Sequence, residues 1–304
     1  MQPQAREDNP MLGLGLMCAA LAMFTSIDTS AKWLILSGLP VLQVVFVRYA
    51  GHFATSALVF IPREGLVAFR SNAPGLQLLR AIMLLASTIF NFAALKYLPI
   101  TITTAIYFAS PIIITILSVL FLDERIGGRR VAAILVGFVG VMVVVQPWGA
   151  AFHPAMFLSL GGLLCASSYF VLTRRLAGVE SNSTSQLWAS GLATLTLAPF
   201  GLAVWVWPQT ELEFAVMCLI GVFGATGHGI AVAAHRFANA SSLAPMTYIQ
   251  VIYATASGYF IFGNLPTWAT VTGTAIIIAS GAYIWRRERD LMLQRRRVEA
   301  AALT

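Results

Sequence analysis

Two opposite charges, Asp28 and Lys32, lie one helical turn apart in the apolar stretch FTSIDTSAKWL, residues 24–34. The chain is expected to turn at about Gly38; Asp28 lies ten residues before that glycine and Arg48 lies ten residues after it. At about 1.5 Å per residue, both charges lie about 15 Å from the turn on adjacent antiparallel helices. Inside a membrane an unpaired charge costs about 2.5 kcal/mol or more. We therefore predict an intramembrane ion pair between Asp28 and Arg48, with Lys32 extending outward; alternatively, Asp28 faces a cavity and binds a substrate ammonium group or a proton.

Neutral polar side chains interrupt other apolar stretches and suit the binding of a small organic solute. Amide and hydroxyl groups can contact an ammonium or a carboxylate group without burying a net charge, and tyrosine rings can border an apolar side chain. A histidine among glycines, in GVFGATGHGIAVAAHRF, adds a hydrogen-bond donor with space around it. Ser, Asn and His also join helices in membranes, so a structural role is the alternative for each. The predicted substrate-binding residues are Asn91, Tyr107, Ser110, His228, Tyr248 and Gln250.

Pro111 follows Ser110 near the middle of a long apolar stretch. A proline there removes a backbone hydrogen bond and frees a carbonyl group. We therefore predict a hinge at Pro111, although the freed carbonyl would equally suit a ligand contact. His52 and His235, in contrast, are expected to be structural.

Other kinds of chemistry find no support in the sequence. We find no nucleophile elbow, phosphate loop or paired catalytic carboxylates, which argues against an enzyme. The three cysteines, Cys18, Cys165 and Cys218, fall within apolar stretches at no metal-ligand spacing, so we expect packing roles, no metal and no cofactor. The basic C-terminal stretch RRERDLMLQRRRVEA is interpreted as an orientation anchor beside anionic lipid and not as a nucleic-acid site.

The composition indicates what kind of molecule positions these residues. Only 10% of the 304 residues are charged and 58% are hydrophobic, whereas about 25% are charged in soluble domains. The apolar runs are too long and continuous for an outer-membrane barrel, and helices are the other structure that satisfies the backbone in lipid. The chain is therefore predicted to be an all-α integral membrane protein with ten transmembrane helices. The predicted spans are 11–36, 41–61, 75–96, 101–122, 130–146, 154–173, 184–207, 213–234, 241–262 and 267–285.

Basic residues between the spans predict the orientation, because Lys and Arg are retained on the cytoplasmic side. With the N-terminus inside, Lys96 is the one basic residue in an outer segment, whereas the inner segments are rich in arginine and include the six arginines after Trp285. Both termini are therefore predicted to be cytoplasmic, in a bacterial inner membrane.

The two halves of the chain show a weak internal repeat. The stretch AALKYLPITITTAIYFASPIIITILSVLFLDERIGGRRV (93–131) aligns without a gap, at an offset of 140, with AAHRFANASSLAPMTYIQVIYATASGYFIFGNLPTWATV (233–271). Five spans per half is an odd number, so the second half must enter the membrane from the opposite side, as in many secondary transporters. The predicted organisation is an N-terminal tail (1–10), a first five-helix repeat (11–147), a second (152–285) and a basic C-terminal tail (286–304).

The first of these stretches resembles the EamA family of the drug/metabolite transporter superfamily. In that family a basic and an aromatic residue precede a helix with a central proline and an acidic end, here Lys96, Tyr97, Pro111 and Glu124. The second half departs from the pattern, because Val251 stands at the proline position. Within the family, the chain is similar to the YddG-type exporters of aromatic and other amino acids.

This resemblance implies a secondary transporter that exports small metabolites, in the first place aromatic and other neutral amino acids, by alternating access. Its expected partners are a small-molecule substrate and the lipid bilayer, with no nucleic acid. Two alternatives remain open: an importer of a vitamin or a nucleoside-like metabolite, and a polytopic membrane receptor or scaffold.

Overall fold

A computed structural model of the chain describes residues 10–302, except 111, 115, 118–127, 147–148, 150–151, 177–178, 238–245 and 247–248. Its helices are α1 (Pro10–Leu36), α2 (Val41–Glu64), α3 (Pro74–Leu95), α4 (Ile100–Tyr107), α5 (Gly128–Val145), α6 (Ala155–Leu176), α7 (Asn182–Ala203), α8 (Glu211–Phe237), α9 (Gln250–Phe262) and α10 (Trp268–Ala302). In the described part, five helical stretches are long and apolar enough to cross a membrane. The prediction of an all-helical protein is confirmed for the described residues.

Helices end where glycine and proline make continuation unfavourable. After α1, Gly38 adopts a φ of 105°, and Pro40 then precedes α2 in an extended conformation. After α9, Gly263 is left-handed with a φ of 66°. Its N–H donates to the carbonyl of Tyr259, and the N–H of Asn264 donates to that of Gly258, so the last carbonyls of α9 are satisfied.

Two differences from the predicted spans concern α4 and α10. Helix α4 ends at Tyr107, and after two turn residues helical structure resumes at Ser110, within what was expected to be one continuous span. Helix α10 extends to Ala302, seventeen residues beyond the predicted end at 285. Residues 286–302 contain no glycine or proline and are rich in Arg, Glu, Leu and Ala, which are good helix formers.

The helices pack mainly as pairs that are distant in sequence. Helix α1 packs on α8, α3 on α6, α2 on α7 and α5 on α10; in addition, α2 contacts α8, α3 contacts α7 and α4 contacts α9. Smaller contacts join α4 to α6 and α1 to α9. One apolar core contains Leu34, Phe92 and Ile220, and a second contains Ile106 and Ile277.

Candidate functional site

A polar cavity of about 250 Å³ lies among α2, α3, α6, α7 and α8. It extends from the middle of α2 and α8 to the connection between α6 and α7. We call the end of the bundle at this connection the cavity end. Leu84, Leu176, Ala189 and Val232 provide apolar parts of the wall. The polar groups of interest in the wall are His52, Arg80, Tyr169, Glu180, Gln186 and His228.

Two histidines form the inner part of the cavity wall. The rings of His52 and His228 are stacked, with centroids 5.6 Å apart and planes 15° from parallel. The Nε2 atom of His52 lies 3.2 Å from Oε1 of Gln186, so this histidine donates there if Nε2 carries the proton. Phe24 contacts the His228 ring at a centroid distance of 5.0 Å. The rings of His52 and His228 therefore border the cavity beside the side-chain amide of Gln186.

Arg80 supplies a buried positive charge to the same wall. Its Nε donates to the Thr173 hydroxyl at 2.7 Å, and its Nη2 donates to the Tyr169 hydroxyl at 2.9 Å. Its Nη1 donates to the Gln77 side-chain oxygen at 3.4 Å and to the Ser185 carbonyl at 3.2 Å. The guanidinium also lies 4.7 Å from the centre of the Tyr169 ring. All these partners are neutral, and they fix the orientation of the guanidinium plane.

Glu180 borders the cavity at the connection between α6 and α7. Its Oε1 accepts hydrogen bonds from the Ser71 hydroxyl at 2.7 Å and from the backbone N–H groups of Asn72 and Ala73 at 2.7 and 2.8 Å. Burial would raise the pKa of the Glu180 carboxyl, but these hydrogen bonds hold it below its usual value. Glu180 therefore joins its own connection, as a carboxylate, to the segment that leads into α3.

The opposite end of the bundle is closed by contacts between distant segments. The Gln43 side chain makes two hydrogen bonds with the backbone of Val206: its amide donates to the carbonyl at 2.7 Å, and its oxygen accepts from the N–H at 2.8 Å. Lys32 donates to the carbonyl of Leu98 and lies 5.3 Å from the centre of the Phe262 ring. These contacts join α2 to the segment after α7, and α1 to the segment after α3 and to α9, at the end away from the cavity.

The predicted ion pair between Asp28 and Arg48 is not formed as a direct contact. The Asp28 carboxylate accepts a hydrogen bond of 2.9 Å from the Asn91 amide. Arg48 instead donates to the Thr88 hydroxyl at 3.3 Å and lies 4.5 Å from the centre of the Tyr49 ring. Both charged side chains are therefore bound by α3. Its Thr88 and Asn91 can bind them side by side because these two residues are three apart and lie on one face of the helix. Lys32 is buried and does not extend outward as expected.

Replacing Asn91 by Leu is expected to lower the free energy of unfolding by about 1–3 kcal/mol, because the Asp28 carboxylate then loses this donor. In an Asp28→Asn background the same replacement should cost clearly less, since a neutral amide replaces the charge. Thermal unfolding of the four proteins in detergent measures both values. An equal cost in both backgrounds would contradict the contact.

The other predicted binding residues are distributed over neighbouring helix contacts. Ser110 makes a hydrogen bond of 3.1 Å with Ser167, and the Tyr107 hydroxyl lies 3.4 Å from that of Ser87. Gln250 is the first residue of α9, which packs on α4. Tyr248 and the predicted hinge Pro111 lie outside the described residues. Of the predicted substrate-binding residues that the structure describes, His228 lines the cavity, whereas Asn91, Tyr107, Ser110 and Gln250 do not.

Sequence reasoning overlooks Arg80 and Gln186 and assigns His52 a structural role. A usable signal exists for Arg80, because Gln77 and Arg80 lie three residues apart and place two polar groups on one face of an apolar helix. Gln186 follows four hydroxyl or amide residues at the start of α7, where polar residues are common, so its role in the wall has no comparable signal.

A bundle of apolar helices around a cavity with polar groups in its wall suits the binding of a small molecule. Two segments of the chain, residues 11–146 and 153–286, match the EamA-like transporter family. The chain belongs to this family, as the resemblance of its Lys96–Glu124 region predicts, and it is a multi-pass membrane transporter.

Several relatives have stated substrates. The chain is 28% identical to the "Riboflavin transporter" of Rhizobium johnstonii, over 90% of this chain and 91% of that protein. It is 26% identical to the "S-adenosylmethionine uptake transporter" of Rickettsia bellii, over 92% and 96% of the two chains. It is 24% identical to the "Pseudopaline exporter CntI" of Pseudomonas aeruginosa, over 89% and 95%. The relatives thus include proteins named for uptake and for export.

One solved crystal structure has the same fold. It superposes with a TM-score of 0.58 over 88% of this chain and 98% of the other, at 20% sequence identity. At this identity the likeness concerns the fold alone.

Proposed function

We propose that this protein is a secondary transporter that moves a small organic solute by alternating access between two inverted five-helix halves. The helix contacts support the repeat. In the proposed repeat, each helix of α1–α5 corresponds in order to a helix of α6–α10, so that α1 corresponds to α6 and α3 to α8. Under this exchange, the contact of α1 with α8 becomes the contact of α6 with α3. In the same way, the contact of α2 with α8 becomes that of α7 with α3, and all four contacts are observed. The contacts between α2 and α7, α4 and α9, and α5 and α10 are unchanged by the exchange.

The match of two separate segments, 11–146 and 153–286, to the same family gives a second line of support. These segments correspond closely to the proposed repeats, 11–147 and 152–285. With the N-terminal tail (1–10) and the basic C-terminal tail (286–304), they make up the proposed ten-helix organisation. We place the protein in a bacterial inner membrane with both termini in the cytoplasm, because basic residues are concentrated in the segments that this orientation places inside.

The observation that carries the proposed mechanism is the difference between the two ends of the bundle. The cavity extends to the connection between α6 and α7, whereas Gln43 and Val206 join α2 to the segment after α7 at the opposite end. In the proposed orientation the cavity end is cytoplasmic, so the structure corresponds to an inward-facing state. Transport then requires the opposite end to open and the cavity end to close.

For the solute we propose amino acids, aromatic and other neutral ones, exported from the cytoplasm. The cavity offers amide, hydroxyl and guanidinium groups together with aromatic rings, which suits a small molecule with one polar and one apolar part. Riboflavin uptake is the second candidate, because proteins of two organisms named "Riboflavin transporter" are each 28% identical to this chain.

Counterflow in proteoliposomes separates these candidates. Liposomes loaded with unlabelled L-phenylalanine, riboflavin or S-adenosylmethionine are diluted into the same labelled compound, and accumulation of label shows exchange. We expect exchange of L-phenylalanine. If riboflavin alone is exchanged, riboflavin and not an amino acid is the solute. If the folded protein exchanges none of the three compounds, transport of these solute classes is contradicted.

A bulky residue in the cavity should block this exchange. Val232 lines the cavity and is 41% exposed, so a tryptophan there can be accommodated without opening a packed core. We expect Val232→Trp to reduce counterflow about tenfold or more by filling the solute volume. Val222 is the matched control: it lies on the same helix, is 38% exposed and does not line the cavity. Equal counterflow by the Val232→Trp and Val222→Trp proteins would exclude this cavity from the transport path.

A further inference from the structure

The guanidinium of Arg80 is a buried charge, and no described residue supplies a counter-charge in contact with it. The side chain is 6% exposed, and among the described residues no carboxylate oxygen lies within 4.0 Å of its nitrogens. Its partners are two hydroxyl groups, an amide oxygen and a backbone carbonyl. Hydrogen bonds to neutral groups orient a charge, but they do not neutralise it.

Among the described residues, one of the N–H donors of this guanidinium has no partner. Arginine has five N–H groups, and the four hydrogen bonds to Thr173, Gln77, Ser185 and Tyr169 use four of them, which leaves one N–H on Nη2. Because Arg80 belongs to the cavity wall, a solute in the cavity can reach this group. The fixed guanidinium plane is preorganised for an oxygen ligand, since its orientation does not have to be established on binding.

The charged groups of the cavity wall, among the described residues, are Arg80 and Glu180. His52 and His228, which stack on each other, lie in the same wall. Glu180, the acidic residue of the wall, has its Oε1 occupied by Ser71 and by the backbone of Asn72 and Ala73. The wall therefore carries one positive and one negative group, and Arg80 is the one of the two that can donate a hydrogen bond to an anionic oxygen.

We propose that the transported solute carries a carboxylate group and that Arg80 binds this group through its open Nη2–H. A carboxylate oxygen accepts the hydrogen bond, and the apolar part of the solute lies toward His52 and His228. This proposal rests on the proposed transport function, because it names the part of the solute that the same cavity recognises. A hydrogen bond from a guanidinium to a carboxylate is charge-assisted and therefore stronger than one between neutral groups.

Binding to purified protein in detergent tests this without requiring transport. L-Phenylalanine and L-phenylalaninamide have nearly the same size, but the amide lacks the carboxylate. Titration of each compound against the thermal unfolding midpoint gives an apparent affinity. We expect the wild-type protein to bind the acid about tenfold or more tightly than the amide.

Variants test whether Arg80 causes the preference for the acid over the amide. Arg80→Gln should remove the preference, and Arg80→Lys, which keeps the charge but loses the fork of donors, should keep a reduced one. Arg175→Gln is the control, since Arg175 is exposed on α6 near the same end and does not line the cavity. If Arg80→Gln does not fold, the comparison of the wild-type and Arg80→Lys proteins carries the test.

The outcomes separate this inference from the proposed function. Equal binding of acid and amide, or an unchanged preference in the Arg80 variants, would overturn the inference. Counterflow of riboflavin alone would also overturn it while leaving the transport function intact. Tighter binding of the acid by a protein that exchanges no solute would support carboxylate binding by Arg80 and contradict the proposed transport function.

Discussion

Replacing Gly221 by Ala is expected to lower the free energy of unfolding by about 1–3 kcal/mol or more, and to reduce transport with it. At this point α2 and α8 touch through their backbones. A β-carbon on Gly221 would lie 2.5 Å from Cα and 2.6 Å from the carbonyl carbon of Gly51, and 2.8 Å from the backbone nitrogen of His52. Backbone atoms cannot turn aside as a flexible side chain can, so the two helices would have to move apart.

The displaced backbone includes that of His52, whose ring stacks on His228 across the same helix contact. The substitution therefore affects the cavity wall as well as stability. Gly229→Ala is the matched control, because Gly229 lies on the same helix and a β-carbon there meets nothing within 4 Å. Both substitutions bring the same gain in helix propensity. Thermal unfolding in detergent gives the comparison, and equal midpoints for the two variants would show that α2 and α8 are not in backbone contact.

The helices themselves are largely predictable from this sequence, because long apolar runs and their Gly and Pro boundaries are local features. The predicted span 11–36 begins one residue after the start of α1 and ends at the same residue. The predicted span 75–96 begins and ends one residue later than α3. The predicted span ends at residue 285, where charged residues begin, but α10 continues to Ala302 because charge ends an apolar span without ending a helix.

The cavity is far less predictable, because it depends on how each helix is rotated about its axis and which distant helix it contacts. Asn91 was expected to bind substrate, yet its amide is engaged by Asp28. Arg48 was expected to bind Asp28 on the basis of equal depth, and depth does not specify the direction in which a side chain points. Arg80 and His52 reach one cavity through contacts of α3 with α6 and of α2 with α8, and no local pattern encodes those pairings.

Cross-linking residues 43 and 206 should abolish transport if the end away from the cavity has to open in every cycle. Gln43 and Val206 are in direct contact there, so cysteines at the two positions can be joined by a short reversible bis-methanethiosulfonate linker. The background must first lack Cys18, Cys165 and Cys218. We expect counterflow to fall about tenfold or more after cross-linking, because the closed end can no longer separate.

Reduction of the linker should restore the counterflow of the double variant to its value before cross-linking. This comparison within one protein removes the effect of losing the Gln43 hydrogen bonds themselves. Each single-cysteine protein, treated with the same linker, reports the effect of modification without a bridge between α2 and the segment after α7. Alternating access requires both ends of the bundle to open in turn around one cavity. Unchanged counterflow in fully cross-linked protein would therefore mean that the solute passes without separation of these two segments, and the rocking of two halves about the Arg80 cavity would have to be given up.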